Sequence, residues 1–260
     1  MSSLADLFPD GDYRFHLTLR RGEPGDFFAA RDATGALLAE RTHWLEADPA
    51  RYATLLPEGV PVFEEFAALA ADWGAPGIKN VGDLGRIMEP DVLFLSPDVE
   101  GRFRLRGGAL CFPTGWSLEE KLGHPIDFIH GVVPGLNAAL GSPIHQLLGK
   151  LKPGVAVQRD NWSISGSTEL NLHLARGILP LLPPVALDHL WLRIEHQALL
   201  ALPASGGIAF GIRIALHRLD AVARGPAAAG LRRALESMPA AMVAYKRLDG
   251  IQPGLIERLR

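Results

Sequence analysis

The run at 187–219, "LDHLWLRIEHQALLALPASGGIAFGIRIALHRL", decides the fold. Two apolar-alternating arms flank Pro203-Ala204-Ser205-Gly206-Gly207, the pattern of a β-hairpin with a longer loop. On the first arm Leu190, Leu192 and Ile194 share one face, while Trp191, Arg193, Glu195 and Gln197 share the other. On the second arm Ile208, Phe210, Ile212, Ile214 and Leu216 oppose Ala209, Gly211, Arg213, Ala215 and His217. Arg193, Glu195, Gln197 and Arg213 are therefore expected on one polar face. That face reads either as solvated sheet with cross-strand ion pairs or as a cluster looking into a pocket. In the second case the small residues Ala209, Gly211 and Ala215 leave room for a ligand against the sheet.

Outward from the hairpin, "GVAVQRDNWSIS" (154–165), "DVLFLS" (91–96) and "GRFRLRGGALCF" (101–112) carry strand patterns, and "RFHLTL" (14–19) alternates at period two. "DFFAARDATGALLAERTHWL" (26–45) predicts another hairpin, turning at Asp32 to Gly35. Helical spacing marks 61–74, 81–88 and 226–248. Ser117 with Glu120 predicts a capped helix from Ser117 to Gly123, and Ser142-Pro143 predicts a helix start. Strands come mostly as hairpins rather than alternating with helices, which predicts an α+β fold with an antiparallel sheet, as one domain over 1–260.

Composition excludes several function classes. A net charge of −3 gives no electrostatic reason for nucleic acid or an anionic membrane as partner. No apolar run is long enough to span a bilayer and no signal-peptide pattern opens the chain, so a cytoplasmic protein is expected. Cys111 is the single cysteine, which excludes an internal disulfide and any cysteine-held zinc or iron–sulfur site in this chain. The sequence contains no GxSxG elbow, P-loop or GxGxxG. The nine histidines show no compact metal-ligand spacing. Each one read alone is a structural histidine, with His130 the best exception. It follows Phe128-Ile129 and precedes Gly131, so it projects from the end of an apolar segment, as a haem-ligating imidazole requires. His124 is the alternative ligand. Arg159, in "VQRDNW", sits on a strand with Asn161 on the same face; its bland reading is a salt bridge.

Four segments in order resemble one family: "CFPTGWSLEEKLGHPIDFIHGVVPG" (111–135), "VQRDNWSI" (157–164), "LRIEHQALLALPASGGIAFGIRIAL" (192–216) and "MVAYKRL" (242–248). They are similar to the alpha-subunit-like family of haem-dependent oxidative N-demethylases. The resemblance implies a PAS-like sheet binding haem b, and oxidation of a small secondary amine such as dimethylamine with O2. Electrons from NADPH would then pass through FMN and a 2Fe-2S cluster on partner reductase subunits. It implies His130 as the iron ligand, Trp116 and Phe128 as pocket wall, and Arg213 as a further cofactor contact. It also implies catalytic roles for Arg159, Arg193 and Glu195: Arg159 stabilising oxygen-derived negative charge, Glu195 holding the substrate ammonium or relaying protons. The chain departs from the family pattern at Gly131-Val132, where Ala-Pro is expected, and at His196, where Arg is expected. Gly211, Ile214 and Ala215 also replace bulkier or hydroxylated residues. These changes leave the haem expectation in place and put the substrate in question: the altered lining accepts a different amine, or none. A non-catalytic haem or ligand sensor is the alternative reading, since one fold hosts many functions.

Overall fold

The computed structural model describes residues 3–9 and 11–260. Seven strands form one sheet: β1 (Arg20–Gly22), β2 (Ala53–Leu55), β3 (Asp91–Pro97), β4 (Phe103–Ala109), β5 (Ala156–Ser165), β6 (Trp191–Leu202) and β7 (Gly207–Arg218). Their spatial order is β1-β5-β6-β7-β3-β4-β2, with every neighbouring pair antiparallel. The helices are α1 (Pro24–Phe28), α2 (Ala36–Ala47), α3 (Pro49–Tyr52), α4 (Val60–Asp72), α5 (Val81–Ile87), α6 (Ile126–His130), α7 (Leu136–Lys150), α8 (Leu219–Ala223), α9 (Ala228–Glu236), α10 (Ala240–Tyr245) and α11 (Gln252–Arg258). This is the α+β arrangement that the hairpin pattern predicts. Among the described residues, no helix is long and apolar enough to cross a membrane.

Helices cover both faces of the sheet. On one face Leu192, Ile194, Trp162 and Ile164 pack with Leu219, Leu231, Leu235 and Val243 of the C-terminal helices. Farther along that face Ala198, Leu200, Ala209, Val92 and Phe94 meet Phe27, Phe28, Phe63 and Phe66 of α1 and α4. On the other face Leu93, Leu95, Leu199, Ile208 and Ile212 meet Ile126, Ile144 and Leu148 of α6 and α7, with Trp116 and Ile129 alongside. Burying both faces explains why the central strands are so apolar throughout.

Register decides which polar residues share a face. Glu195 pairs with Ile214 and His196 with Arg213, so odd residues of β6 stand beside even residues of β7. Arg193, Glu195 and Gln197 therefore share a face with Ile212, Ile214 and Leu216, and Arg213 lies on the opposite side. This corrects the expected four-residue polar face, because a one-residue phase difference inverts every side chain. The small residues of β7 also belong to that opposite side. A Cβ on Gly211 would come within 2.6 Å of ring atoms of both Phe27 and Phe28, so the glycine makes room for α1 rather than for a ligand.

Other local expectations change for physical reasons. The predicted hairpin over 26–45 is α1, a turn and α2. The run 36–47 is rich in Ala, Leu, Glu and Arg, strong helix formers, and the Asp32 carboxylate accepts from the N–H groups of Thr34 and Leu37 at the helix start. Residues 14–19 form no ladder; pairing with β5 begins at Arg20. The Ser117 helix is replaced by successive turns closed on the Leu118 and Lys121 carbonyls, and the Ser117 hydroxyl is buried without a partner among the described residues. Helix α7 starts after Gly135 (φ +76°) and carries Pro143 inside it.

One buried carboxylate joins these parts. Asp91 Oδ1 accepts from Arg41 Nη1 (2.7 Å) and from the Cys111 N–H (2.6 Å), and Oδ2 accepts from the Phe112 N–H (3.0 Å). Arg41 and Asp91 are both fully buried. Asp91→Ala strands the Arg41 charge, and removal of one partner of a buried pair costs about 3–5 kcal/mol. Chemical denaturation should read that loss as a lower midpoint, while Arg224→Ala, on an exposed side chain, should leave the midpoint unchanged.

Candidate active site

The segment 111–135 wraps from the end of β4 to the start of α7, and the structure holds it at several points. Asp91 fixes its first two amides as described. Arg193, fully buried, then clamps the corner: Nε donates to Thr114 Oγ1 (2.9 Å), Nη2 to the carbonyls of Phe112 (3.0 Å) and Leu170 (2.7 Å), and Nη1 to that of Glu169 (3.2 Å). Gly123 N–H donates to Leu105 O, and Leu105 N–H to His124 O, docking the next turn on β4. Pro125 caps α6, which ends at His130.

His130 is half-buried, and among the described residues its ring makes no hydrogen bond. Burial, reinforced by the nearby Arg159 guanidinium, pushes its pKa down to about 4, so the imidazole is neutral at pH 7. Arg159 projects from β5 on the sheet face that carries Gln197 and Ile212. Its guanidinium is largely desolvated, which lowers its pKa, with Glu195 and Asp160 opposing that shift. Among the described residues it forms neither a hydrogen bond nor a salt bridge, so the bland salt-bridge reading of Arg159 is not what the fold builds. Glu195, buried on the adjacent strand, accepts at Oε2 from Gln197 Nε2 (2.9 Å) and Asn161 Nδ2 (3.3 Å).

Arg159 stands beside an unpaired stretch of sheet edge, while His130 and Glu195 lie outside the lining of the cleft described next. Strand β1 covers β5 only at 156–158, leaving residues 159–165 without an outer strand. A cleft opens there, lined by Arg159, Asn161, Trp162, Leu136, Leu140 and Lys246, and by residues 11–16 of the N-terminal segment. The cavity proper is small, about 80 Å³, and opens to solvent. Lys246, just past α10, donates to Trp162 O (2.6 Å) and lies 4.8 Å from the Trp162 ring centroid. Burial lowers its pKa to about 8, with Glu195 opposing and Arg159 adding to that shift. His16 also lies in the lining, its pKa lowered by burial, then by Arg159 and Arg14.

A family model described as "Haem-dependent oxidative N-demethylase, alpha subunit-like" matches residues 77–256. The chain belongs to this family. The matched span takes in β3 to β7, both helices of the 111–150 segment and Lys246, whereas the N-terminal wall of the cleft lies outside it. Membership in the N-demethylase alpha-subunit-like family thus covers His130, Arg159 and Glu195 together.

Of the residues expected at the site, the fold brings His130, Arg159 and Glu195 to one region and packs Trp116 into the apolar cluster under the same sheet face. It does not bring Arg193, Phe128 or Arg213 there. Arg193 gives its donors to the corner and the 169–170 loop, so it positions backbone. Phe128 is 52% exposed and stacks on the His124 ring, centroids 3.9 Å apart. Arg213 bonds Glu89 (2.7 Å) and the carbonyls of Phe27 and Ala29 on the opposite face. His196, at the departure from the family pattern, bonds Asp160 (2.7 Å) on that opposite face as well. Cys111 is fully buried, with its thiol pushed up to about 12. Sequence reasoning gave no role to Lys246, although the quoted "MVAYKRL" contains it, nor to the segment before β1.

His130 binds protons less readily folded than its ordinary value of 6.5. The stability tied to this difference is complete above about 6.5 and is lost as pH falls toward about 4. NMR titration of the ring should give a midpoint near the lower value, and Arg159→Met should raise it by removing a like charge.

Proposed function

We propose that this chain is the haem-binding oxygenase component of an oxidative N-demethylase, acting on a small secondary amine. The observation that carries the proposal is a neutral, unbonded imidazole at His130 near the unpaired guanidinium of Arg159. The donor chemistry fits haem: iron in haem takes one neutral imidazole from the protein, whereas no group of three or more His, Cys, Asp and Glu able to cage a bare metal occurs among the described residues. In this reading His130 ligates haem b, and Trp116 contributes to the apolar wall. When bound, haem supplies the activation of O2 and the oxidation of a methyl C–H next to nitrogen. The balance is R–NH–CH3 + O2 + 2 electrons + 2 protons giving R–NH2 + formaldehyde + water. The electrons come from a nicotinamide-dependent reductase with flavin and iron–sulfur groups on partner subunits, consistent with a family named for an alpha subunit.

The chain's own residues bind, orient and exclude water. Glu195, buried and held by two neutral amides, offers Oε1 to the substrate ammonium. Arg159, desolvated and unpaired, stabilises negative charge beside it, and in a dry site that attraction is stronger than in water. The 112–135 corner, braced by Arg193, keeps His130 in place. This assigns Arg193 a positioning role and leaves Arg213 and Phe128 outside the chemistry.

The test is an absorption spectrum of protein expressed with haem precursor, beside His130→Ala, followed by formaldehyde detection with dimethylamine and reductant. The expected result is a Soret band that His130→Ala abolishes or shifts, and formaldehyde release that Glu195→Gln lowers on the order of 10²-fold, as for removal of a charged hydrogen bond. A haem-loaded protein that releases no formaldehyde from any small methylamine would favour a sensor instead.

A further inference from the structure

Glu195 and Arg159 form an unusual pair. They occupy neighbouring strands on one sheet face, with Arg159 opposite Gln197 and Asn161 opposite Glu195, so the two charges are diagonal neighbours. Diagonal partners on a sheet lie within reach of long side chains. A buried carboxylate and a half-buried guanidinium so placed often bond each other, because each charge loses hydration on folding. Here they do not: among the described residues Arg159 has no salt bridge, and Glu195 is held by the Asn161 and Gln197 amides. The nearby Lys246 ammonium forms no salt bridge with Glu195 among the described residues and donates instead to the Trp162 carbonyl. The fold thus keeps a negative and a positive group close enough to feel each other's charge without a direct bond between them.

Charged groups surround the site. Arg14 and His16 line the cleft with Arg159, and the pKa values of His16 and His130 are lowered first by burial and then by the Arg159 charge. The cleft lining is mixed in charge, with Arg14, Arg20, Arg159 and Lys246 beside Asp6, Asp12 and Asp160, and Glu195 lies behind Asn161 rather than in the lining itself. A ligand with a single positive charge would satisfy Glu195 and leave Arg159 as it is. A ligand bearing an ammonium and a carboxylate separated by one carbon satisfies both, and each charged hydrogen bond that it gains is stronger than a neutral one.

We infer that the site binds a zwitterion, an N-methyl α-amino acid, with its carboxylate on Arg159 and its secondary ammonium on Glu195. This inference rests on the demethylase reading for its chemistry and narrows the substrate class. For N-methylglycine the methyl carbon leaves as formaldehyde and the nitrogen stays on glycine: N-methylglycine + O2 + 2 electrons + 2 protons gives glycine + formaldehyde + water, the electrons coming from the partner reductase.

The experiment is calorimetric titration of the haem-loaded protein with N-methylglycine, dimethylamine and acetate, run in parallel with formaldehyde detection. N-methylglycine should bind at least about 10-fold more tightly than either singly charged fragment. Arg159→Met should weaken N-methylglycine by roughly 10- to 100-fold and dimethylamine far less, Glu195→Gln should weaken both, and Arg159→Lys should retain part of the N-methylglycine affinity. Near-ultraviolet circular dichroism of each variant verifies that it is folded. N-methylglycine binding no tighter than dimethylamine overturns the inference. So does an Arg159→Met protein that binds N-methylglycine normally but loses haem, because Arg159 would then hold a haem propionate. Formaldehyde from dimethylamine without N-methylglycine binding sinks the zwitterion site and leaves the demethylase standing; tight N-methylglycine binding with no formaldehyde from any methylamine supports the site and sinks the demethylase.

Discussion

The corner that carries His130 is anchored on the carboxylate of Asp91. That carboxylate lies at the start of β3, fully buried, and serves three donors at once: the Arg41 guanidinium from α2 and the amides of Cys111 and Phe112. A buried charge is tolerated when it is paired and its remaining lone pairs are occupied. Those two amides belong to the chain as it leaves β4, where no ladder partner would otherwise satisfy them. The Phe112 carbonyl accepts in turn from Arg193 on β6. A continuous polar chain therefore runs from α2 through β3 and the corner to β6, and α6 with His130 is carried on the far side of that corner.

The second organising feature is the unequal length of β1 and β5. Three residues of β1 cover the first part of a ten-residue strand, and the remaining edge is left open. Edges with unpaired backbone groups are usually blunted or covered. Here Lys246 bonds the Trp162 carbonyl on that edge, and Arg20 bonds Asp160 (2.8 Å) across its beginning. The cleft between them places ordinary sheet side chains, Arg159 and Asn161, at an opening instead of inside a core. No special backbone conformation is needed for this; a short neighbour strand is enough.

Arg193, Glu195 and Gln197 illustrate how one strand divides its labour by position. They alternate on the same face, and all three are buried. Arg193 meets backbone carbonyls from two loops and is consumed by them. Gln197 bonds Glu195, so amides rather than a cation make the direct hydrogen bonds to that carboxylate. Identical spacing in sequence thus produces a clamp, a carboxylate and a support, separated only by what lies above each residue. Arg213 follows the same logic on the other side, where Glu89 and the α1 carbonyls take all of its attention.

The hairpin of 187–219, the strands around it and the helix at 60–72 were legible because period-two and 3.6-residue patterns follow from local geometry alone. His130 was legible by its apolar approach and by the resemblance of its segment to a known family, and Arg159 and Glu195 by the same resemblance. The α2 region was misread because Gly35 and alternating residues imitate a turn between strands, while helix propensity and the Asp32 carboxylate decide otherwise. The sequence by itself determined an antiparallel α+β sheet and which residues alternate along each strand. Only the tertiary structure decided which face of β7 meets which face of β6, because register is set by pairing between strands far apart in the chain. That pairing removed Arg213 from the site, occupied Arg193 with loop carbonyls, and left Arg159 and Glu195 adjacent and unpaired.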